Sequence, residues 1–204
     1  MTTTFIGHLA QVRRDLEEEV ASIYSDTSLL EWTNEAACDI ARKVRPLLDE
    51  QYADTVAGVQ TYPLPAGTIQ PEIVFYDGKR LARESITDWW TRDISASGTP
   101  THYAAASNVM YLRPAPDSVA TIRYFRYYEP TAIPSIAATT AMPFADKYNP
   151  LIRTYVKAKA LEQAGDPNEA TLMLQRYATG LADAEWEAKR ERGADSDASP
   201  TVVW

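Results

Sequence analysis

The sequence predicts an α+β chain: helices at both ends, an antiparallel β-rich region inserted between them, and an extended C-terminal tail. Three observations predict it. Apolar residues recur at steps of three and four over residues 5–48 and again over 151–188, the period of an amphipathic helix. Between these stretches Tyr, Thr, Pro and Gly rise, and short alternating runs flank turn dipeptides, the pattern of hairpins. From Gly193 the chain is rich in Asp, Ser, Ala and Pro and carries no helical stripe.

The first helix is read from Phe5, Leu9, Val12, Leu16, Val20 and Ile23, with Arg13, Arg14, Glu17 and Glu18 on the opposite, solvated side. Ser28 and Glu31 form an S-x-x-E capping box. It opens a second helix with Leu30, Ala37, Ile40, Ala41, Val44, Leu47 and Leu48 in phase. Pro46 should end or kink that helix near Arg45, because proline lacks the backbone donor and clashes with the preceding turn. The short join makes the pair an antiparallel hairpin.

Strands begin after Thr55. Ile73 to Tyr76 runs into Asp77-Gly78, a strong hairpin signal, since a type I′ turn needs positive φ at both central residues. Thr101 to Ala105 and Val109 to Arg113 flank Ser107-Asn108, a second turn. Val119 to Tyr128 is the longest strand candidate. It places Ile122, Tyr124, Arg126 and Tyr128 on one face and Thr121, Arg123, Phe125 and Tyr127 on the other. Both faces mix aromatics with Arg, so both are expected to be covered, one by a partner subunit. Glu84 to Arg92 reads as a short helix with Ile86, Trp89 and Trp90 turned inward.

Residues 130–143 form a low-charge linker whose Ala and Ile predict that it lies against another surface. Asn149-Pro150 supplies an N-cap and a proline at the first position of a third helix, and Gly165 closes it. Asp166-Pro167-Asn168-Glu169 opens the fourth with N-cap, proline and third-position glutamate. Ala170, Met173, Leu174, Tyr177, Leu181, Ala184 and Ala188 form its stripe; Leu172 and Trp186 lie off it. The tail ends in Val202-Val203-Trp204, an apolar terminus on a polar tether, which suits docking on a neighbour. The resulting segments are 1–54, an N-terminal helical hairpin; 55–129, the β-rich region; 130–143, the linker; 144–192, a C-terminal helical hairpin; and 193–204, a docking tail.

Composition narrows the function. The chain has 204 residues, 45% apolar and 10% aromatic, enough for an ordinary core. Lys and Arg number 20 against 28 Asp and Glu, a net charge of −8. That argues against a dedicated nucleic-acid binder, which needs surplus cations for phosphate. A single cysteine, Cys38, excludes internal disulfides and four-cysteine zinc sites and fits a reducing cytosol. Met1-Thr2-Thr3-Thr4-Phe5 has no basic and apolar regions of a signal peptide. The longest stretch free of acidic and basic residues, Ile94 to Leu112, carries Gly98, Pro100, His102 and Asn108, so no membrane span is expected.

No G-x-S-x-G elbow, phosphate-binding loop, G-x-G-x-x-G or H-E-x-x-H pattern occurs. His8 and His102 are expected to be surface or hydrogen-bonded histidines, and Cys38 a small core residue. The carboxylate runs Glu17-Glu18-Glu19 and Asp183, Glu185, Glu187 read as solvated helix faces. The expectation is no enzyme, no cofactor and no metal. Arg113, Arg123 and Arg126 interleave with Tyr124, Phe125 and Tyr127. Such strands suit single-stranded nucleic acid or a subunit interface, and the acidic balance favours the interface. Candidate inter-subunit residues are Arg123, Tyr124, Arg126, Tyr127, Tyr128, Ile133, Ile136 and Trp186.

The order of several stretches is distinctive. Glu31-Trp32-Thr33-Asn34-Glu35-Ala36 lies in the N-terminal helix pair, and Gln60-Thr61-Tyr62-Pro63-Leu64-Pro65 enters the sheet. Tyr76-Asp77-Gly78-Lys79, Gly98-Thr99-Pro100-Thr101-His102-Tyr103 and Tyr111-Leu112-Arg113-Pro114-Ala115-Pro116-Asp117 follow. Met142-Pro143 precedes a Tyr/Ala/Lys helix closed by Gly165-Asp166-Pro167. In this order the chain resembles the head-to-tail adaptor (connector) proteins of tailed bacteriophages, in particular the tail tubular protein A type. The resemblance implies a four-helix bundle, with the C-terminal hairpin packed on the N-terminal one, beside the β-rich region. It implies a structural virion protein at the neck, assembled in the host cytoplasm. Subunits would form a dodecameric ring between the portal protein and a tail or nozzle protein. DNA would pass through its channel without specific binding, with no membrane involved. Val202, Val203 and Trp204 would engage the portal. The alternatives are another tail-completion or assembly factor, and a ligand-binding module using the Tyr-rich sheet.

Overall fold

A computed structural model of the chain describes residues 3–18, 23–91, 96–135 and 141–196. Its helices are α1 (Phe5–Asp15), α2 (Asp26–Val44), α3 (Ile86–Thr91), α4 (Asn149–Ala164) and α5 (Pro167–Ser196). Its strands are β1 (Leu48–Asp54), β2 (Thr61–Pro63), β3 (Thr68–Tyr76), β4 (Lys79–Arg80), β5 (Ala82–Arg83), β6 (His102–Ala106), β7 (Val109–Arg113) and β8 (Thr121–Tyr128). The fold is mixed α+β and divides into two compact units, one of Met1–Pro46 with Pro130–Trp204, the other Leu47–Glu129.

In the helical unit α4 packs on α5, α2 packs on both, and α1 packs on α4. Phe5, Leu29, Ile40, Ile152, Val156 and Leu181 are buried in it. Its helix ends follow local chemistry. Arg45 takes a left-handed conformation (φ 56°) immediately after α2, as Pro46 predicts by excluding the helical region for the residue before it. Gly165 (φ 83°) closes α4, and the Asp166 carboxylate accepts the Glu169 N–H at 3.1 Å to open α5. The α4 start differs from the expected cap. A 3-10 turn, Asp146–Tyr148, leads into it, and Asn149 lies within the helix, donating to Asp146 at 3.1 Å. Ile133, before α4 in the chain, is held on α2: the Asn34 side chain accepts the Ile133 N–H at 2.9 Å and donates to its carbonyl at 3.2 Å.

The first two helices need correction. The first ends at Asp15 instead of running to Ile23, which is 67% exposed. Val20 lies outside the described residues. Glu17 is left-handed (φ 55°), and the Glu18 carboxylate, turned inward, accepts the N–H groups of Ile23 and Tyr24. Arg13 meets that carboxylate at 3.3 Å and pairs also with Asp26. Arg13 and Glu18, expected on the solvated side, are therefore both buried. Each charge satisfies the other, which a buried ion requires. The cap of α2 is Ser25, whose Oγ accepts the Ser28 N–H at 3.0 Å, and not Ser28. Leu48, read as helical, begins β1.

In the β unit, two sheets have strand orders β1-β8-β3-β4 and β2-β7-β6-β5. All pairings are antiparallel except β5 with β6. Asp77 and Gly78, and Ser107 and Asn108, all have positive φ, as the predicted hairpin turns demand. β3, at nine residues, is longer than the eight of β8. Pro71 sits within β3 at a shift of register, where a strand tolerates proline. Val74, Tyr76, Ile122 and Tyr124 of one sheet cluster with Tyr62, Tyr103, Met110 and Leu112 of the other. Trp89 is buried, but Trp90, predicted to point inward, is 60% exposed and packs edge-on against Tyr111. Adjacent residues on a helix point about 100° apart; here Trp89 takes the inward direction and Trp90 the outward one.

His8 is neither surface nor hydrogen-bonded. It is fully buried in the helical unit, and neither ring nitrogen has a partner among the described residues. Burial, assisted by the Arg153 charge, lowers its pKa from 6.5 to about 4. Between those values the unfolded chain binds a proton that the folded chain excludes, so stability falls as pH drops through that window. The loss should approach ~3 kcal/mol at pH 4. Replacing His8→Leu should flatten this dependence in urea titrations from pH 7 to 4; an unchanged slope would contradict the assignment.

Candidate interaction surfaces

The Tyr/Arg strand β8 is the centre of the first sheet, and its buried face is occupied by the chain itself. The Arg126 guanidinium lies opposite Asp49 of β1 in register. Nε and Nη2 donate to the two Asp49 oxygens at 3.2 and 3.3 Å, and Nη1 donates to the Thr68 hydroxyl at 2.7 Å. Tyr124 and Tyr127 are buried beside it. Tyr124, Arg126, Tyr127 and, in the other unit, Ile133 are buried within the chain. In the sequence a structural arginine cannot be told from an interface arginine when its carboxylate partner lies on a segment read as helix. Ile136, Val202, Val203 and Trp204 lie outside the described residues.

Arg123, Tyr128 and Trp186 retain exposure. Arg123 lies 4.5 Å over the Phe75 ring and 3.6 Å from the Glu50 carboxylate. Tyr52, 61% exposed, donates its hydroxyl to the same carboxylate at 3.0 Å, and Leu48 is exposed on the same strand. Tyr128 is half-buried next to Arg126. Trp186 is 62% exposed on the outer side of α5, with Arg190 4.8 Å over its ring. Leu172 is exposed further back on that helix.

The remaining polar constellations are structural in form. Glu84 pairs with Arg113, which stacks 4.3 Å over Trp89; His102 Nε2 stands 3.7 Å from the same carboxylate. Tyr155 donates to Glu35 at 3.1 Å and Tyr177 to Asp39 at 2.8 Å. Burial and those carboxylates push the Tyr155 pKa up to about 12 and that of Tyr177 upward as well, so both phenols act as donors at neutral pH. Cys38, expected in the core, is partly exposed at the rim of a concavity with Glu31, Glu35 and Asp39. Of the carboxylate runs, Glu17, Asp183 and Glu187 are exposed, while Glu18 is buried. Among the described residues no group of three or more His, Cys, Asp or Glu could hold a metal ion, and no helix is long and apolar enough to cross a membrane.

One cluster escaped the sequence reading. Lys79 and Arg80 on β4 and Arg83 on β5 are all exposed. Arg80 and Arg83 border a concavity of about 390 Å³ with Glu72, Leu81, Ala82 and Tyr103 at its walls. The available signal was three cations within five positions directly after the Asp77-Gly78 turn.

Internal and surface arginine–aromatic groups should respond differently to mutation. Arg126→Met should lower the unfolding free energy by ~2 kcal/mol or more, because it strands Asp49 and Thr68. Trp186→Ala should stay within ~0.5 kcal/mol. Urea unfolding of the two variants checks this, and equal losses would contradict the division.

The family model described as SU10 adaptor protein matches residues 3–203. No curated protein sequence matches the chain significantly. The family match spans both units and bears out the resemblance to phage adaptor proteins. On that span, the chain belongs to the SU10 adaptor protein family.

Proposed function

We propose that this chain is the head-to-tail adaptor of a tailed phage, a structural protein that forms a dodecameric ring between portal and tail. The observation that carries this reading is the family match over residues 3–203. In the proposed assembly, α1, α2, α4 and α5 form a four-helix bundle and Leu47–Glu129 a β-rich module. Residues 193–204 act as the docking tail, with Val202, Val203 and Trp204 engaging the portal protein and a tail or nozzle protein binding below. The site of action is the neck of the virion, after assembly in the host cytoplasm.

Two physical features support it. A ring contact is heterologous, so each subunit needs two different surfaces. The exposed side of β8 and β1 with Arg123, Tyr52 and Leu48, and the outer side of α5 with Trp186, are two such surfaces. A channel that must release DNA should hold phosphate weakly, and a chain of net charge −8 fits that requirement. No step of this role calls for catalysis or a cofactor.

Purified chain mixed with portal rings from the same virus should cosediment as a stacked ring visible by electron microscopy. Failure to bind intact portal rings would contradict the adaptor reading and favour another tail-assembly role. Deleting Ala198 to Trp204 should leave the fold intact but weaken docking by ~2 kcal/mol or more, since a buried Trp anchor contributes at least that much. Unchanged docking would remove the tail from the interface.

A further inference from the structure

We propose that Arg80 and Arg83 form a cationic docking surface for the carboxylate-bearing α2 face of a second copy of this chain. The proposal rests on the ring reading above and assigns one of its subunit contacts.

The patch stands out by contrast within its own unit. Arg113 is paired with Glu84, Arg123 with Glu50 and Arg126 with Asp49. Lys79, Arg80 and Arg83 have no carboxylate partner among the described residues; Arg83 makes only a 3.5 Å contact to the Gln70 side chain. Arg80 and Arg83 line one concavity, and two unpaired cations side by side repel one another, an arrangement that a bound anion relieves.

Their position suits a partner. β4 is the end strand of the first sheet and β5 the end strand of the second, each two residues long. Cations on an edge strand discourage pairing with another edge and leave the surface selective for acidic groups. The adjacent concavity has buried Leu81 and Tyr103 in its walls together with Glu72, whose carboxylate accepts from the Gln70 amide at 3.2 Å; the Tyr103 hydroxyl is spent on the Glu72 carbonyl at 3.0 Å. A carboxylate entering there meets two guanidinium groups, each able to bind it with paired N–H donors.

The occupant follows from charge. On α2, Glu31 and Glu35 lie one turn apart and exposed, beside a concavity of about 530 Å³ that also includes Asp39, Arg42 and Tyr155, so that its three carboxylates outnumber its one cation. Glu31 has no cationic partner among the described residues, and Glu35 accepts only from Tyr155. Unpaired carboxylates on α2 and unpaired cations on β4 and β5 are the two unlike surfaces that a heterologous contact requires. DNA phosphate is the less favoured anion, because a chain of net charge −8 repels the polymer that these cations would attract.

The test measures ring formation by the full chain on portal rings, by sedimentation and electron microscopy. Arg80→Glu with Arg83→Glu should weaken assembly at least ~10-fold, and Glu31→Lys with Glu35→Lys should do the same. Mixing the two variants, which pairs reversed charges across half of the contacts, should recover part of the loss. The quadruple variant should return to within ~3-fold of the wild type. Circular dichroism and thermal melting should be unchanged, as all four side chains are exposed; the neutral pair Arg80→Gln and Arg83→Gln carries the test if the reversals misfold. A wild-type ring with undiminished assembly of the Arg80/Arg83 variant overturns this contact alone. Loss without rescue overturns α2 of a second copy as the occupant and points to another acidic partner. A wild-type chain that forms no ring on portal overturns the ring reading and this contact together.

Discussion

Arg126 cannot lie in the sheet without Asp49 beside it, and much of the β unit follows from that requirement. A guanidinium removed from water needs a carboxylate and further acceptors in good geometry, or its burial destabilises the fold. Asp49 supplies the carboxylate from β1, directly opposite Arg126 in the antiparallel register. That register sets which residues of β1 face outward and leaves Leu48 and Tyr52 exposed. It also places the Thr68 hydroxyl of β3 on the guanidinium, so one ion ties three strands together. Arg113 acts in the same way between β7 and Glu84, just before α3. Arg13 does so in the helical unit, where Glu18 and Asp26 bracket the turn between α1 and α2.

This dependence explains what the sequence could convey. Features determined by neighbouring residues were legible: the turns at Asp77-Gly78 and Ser107-Asn108, the end of α2 before Pro46, the Gly165 stop and the Asp166 cap. Each rests on steric or hydrogen-bonding rules that act within a few residues. Features determined by a distant partner were not. Leu48 to Asp54 continues a helical apolar pattern in the sequence, yet it is a strand because β8 offers it seven paired residues. Arg13 and Glu18 look like solvent-facing charges until the turn brings them together. His8 looks ordinary until α1 buries it against α4.

The interaction surfaces divide along the same line. Exposure of Trp186 was legible as a break from the α5 stripe; that of Arg123 was not, because both faces of its strand mix aromatics with Arg. Tyr124, Arg126 and Tyr127 were not separable from it, because burial depends on what packs over each face of β8. The Lys79, Arg80 and Arg83 cluster sat in plain view as the flank of a turn. Its significance emerges only once Arg113, Arg123 and Arg126 are seen to be paired. For an acidic adaptor, such residual unpaired charge is a means of choosing partners: it adds little to folding and much to specificity and rate of association.

The central claim is that this chain forms the ring joining head to tail. Electron cryo-microscopy of the neck in intact virions tests it most directly. The account predicts a symmetric dodecameric ring seated on the portal, whose density accommodates the α+β subunit. Density for the chain elsewhere in the particle, or a neck built without it, would contradict the account.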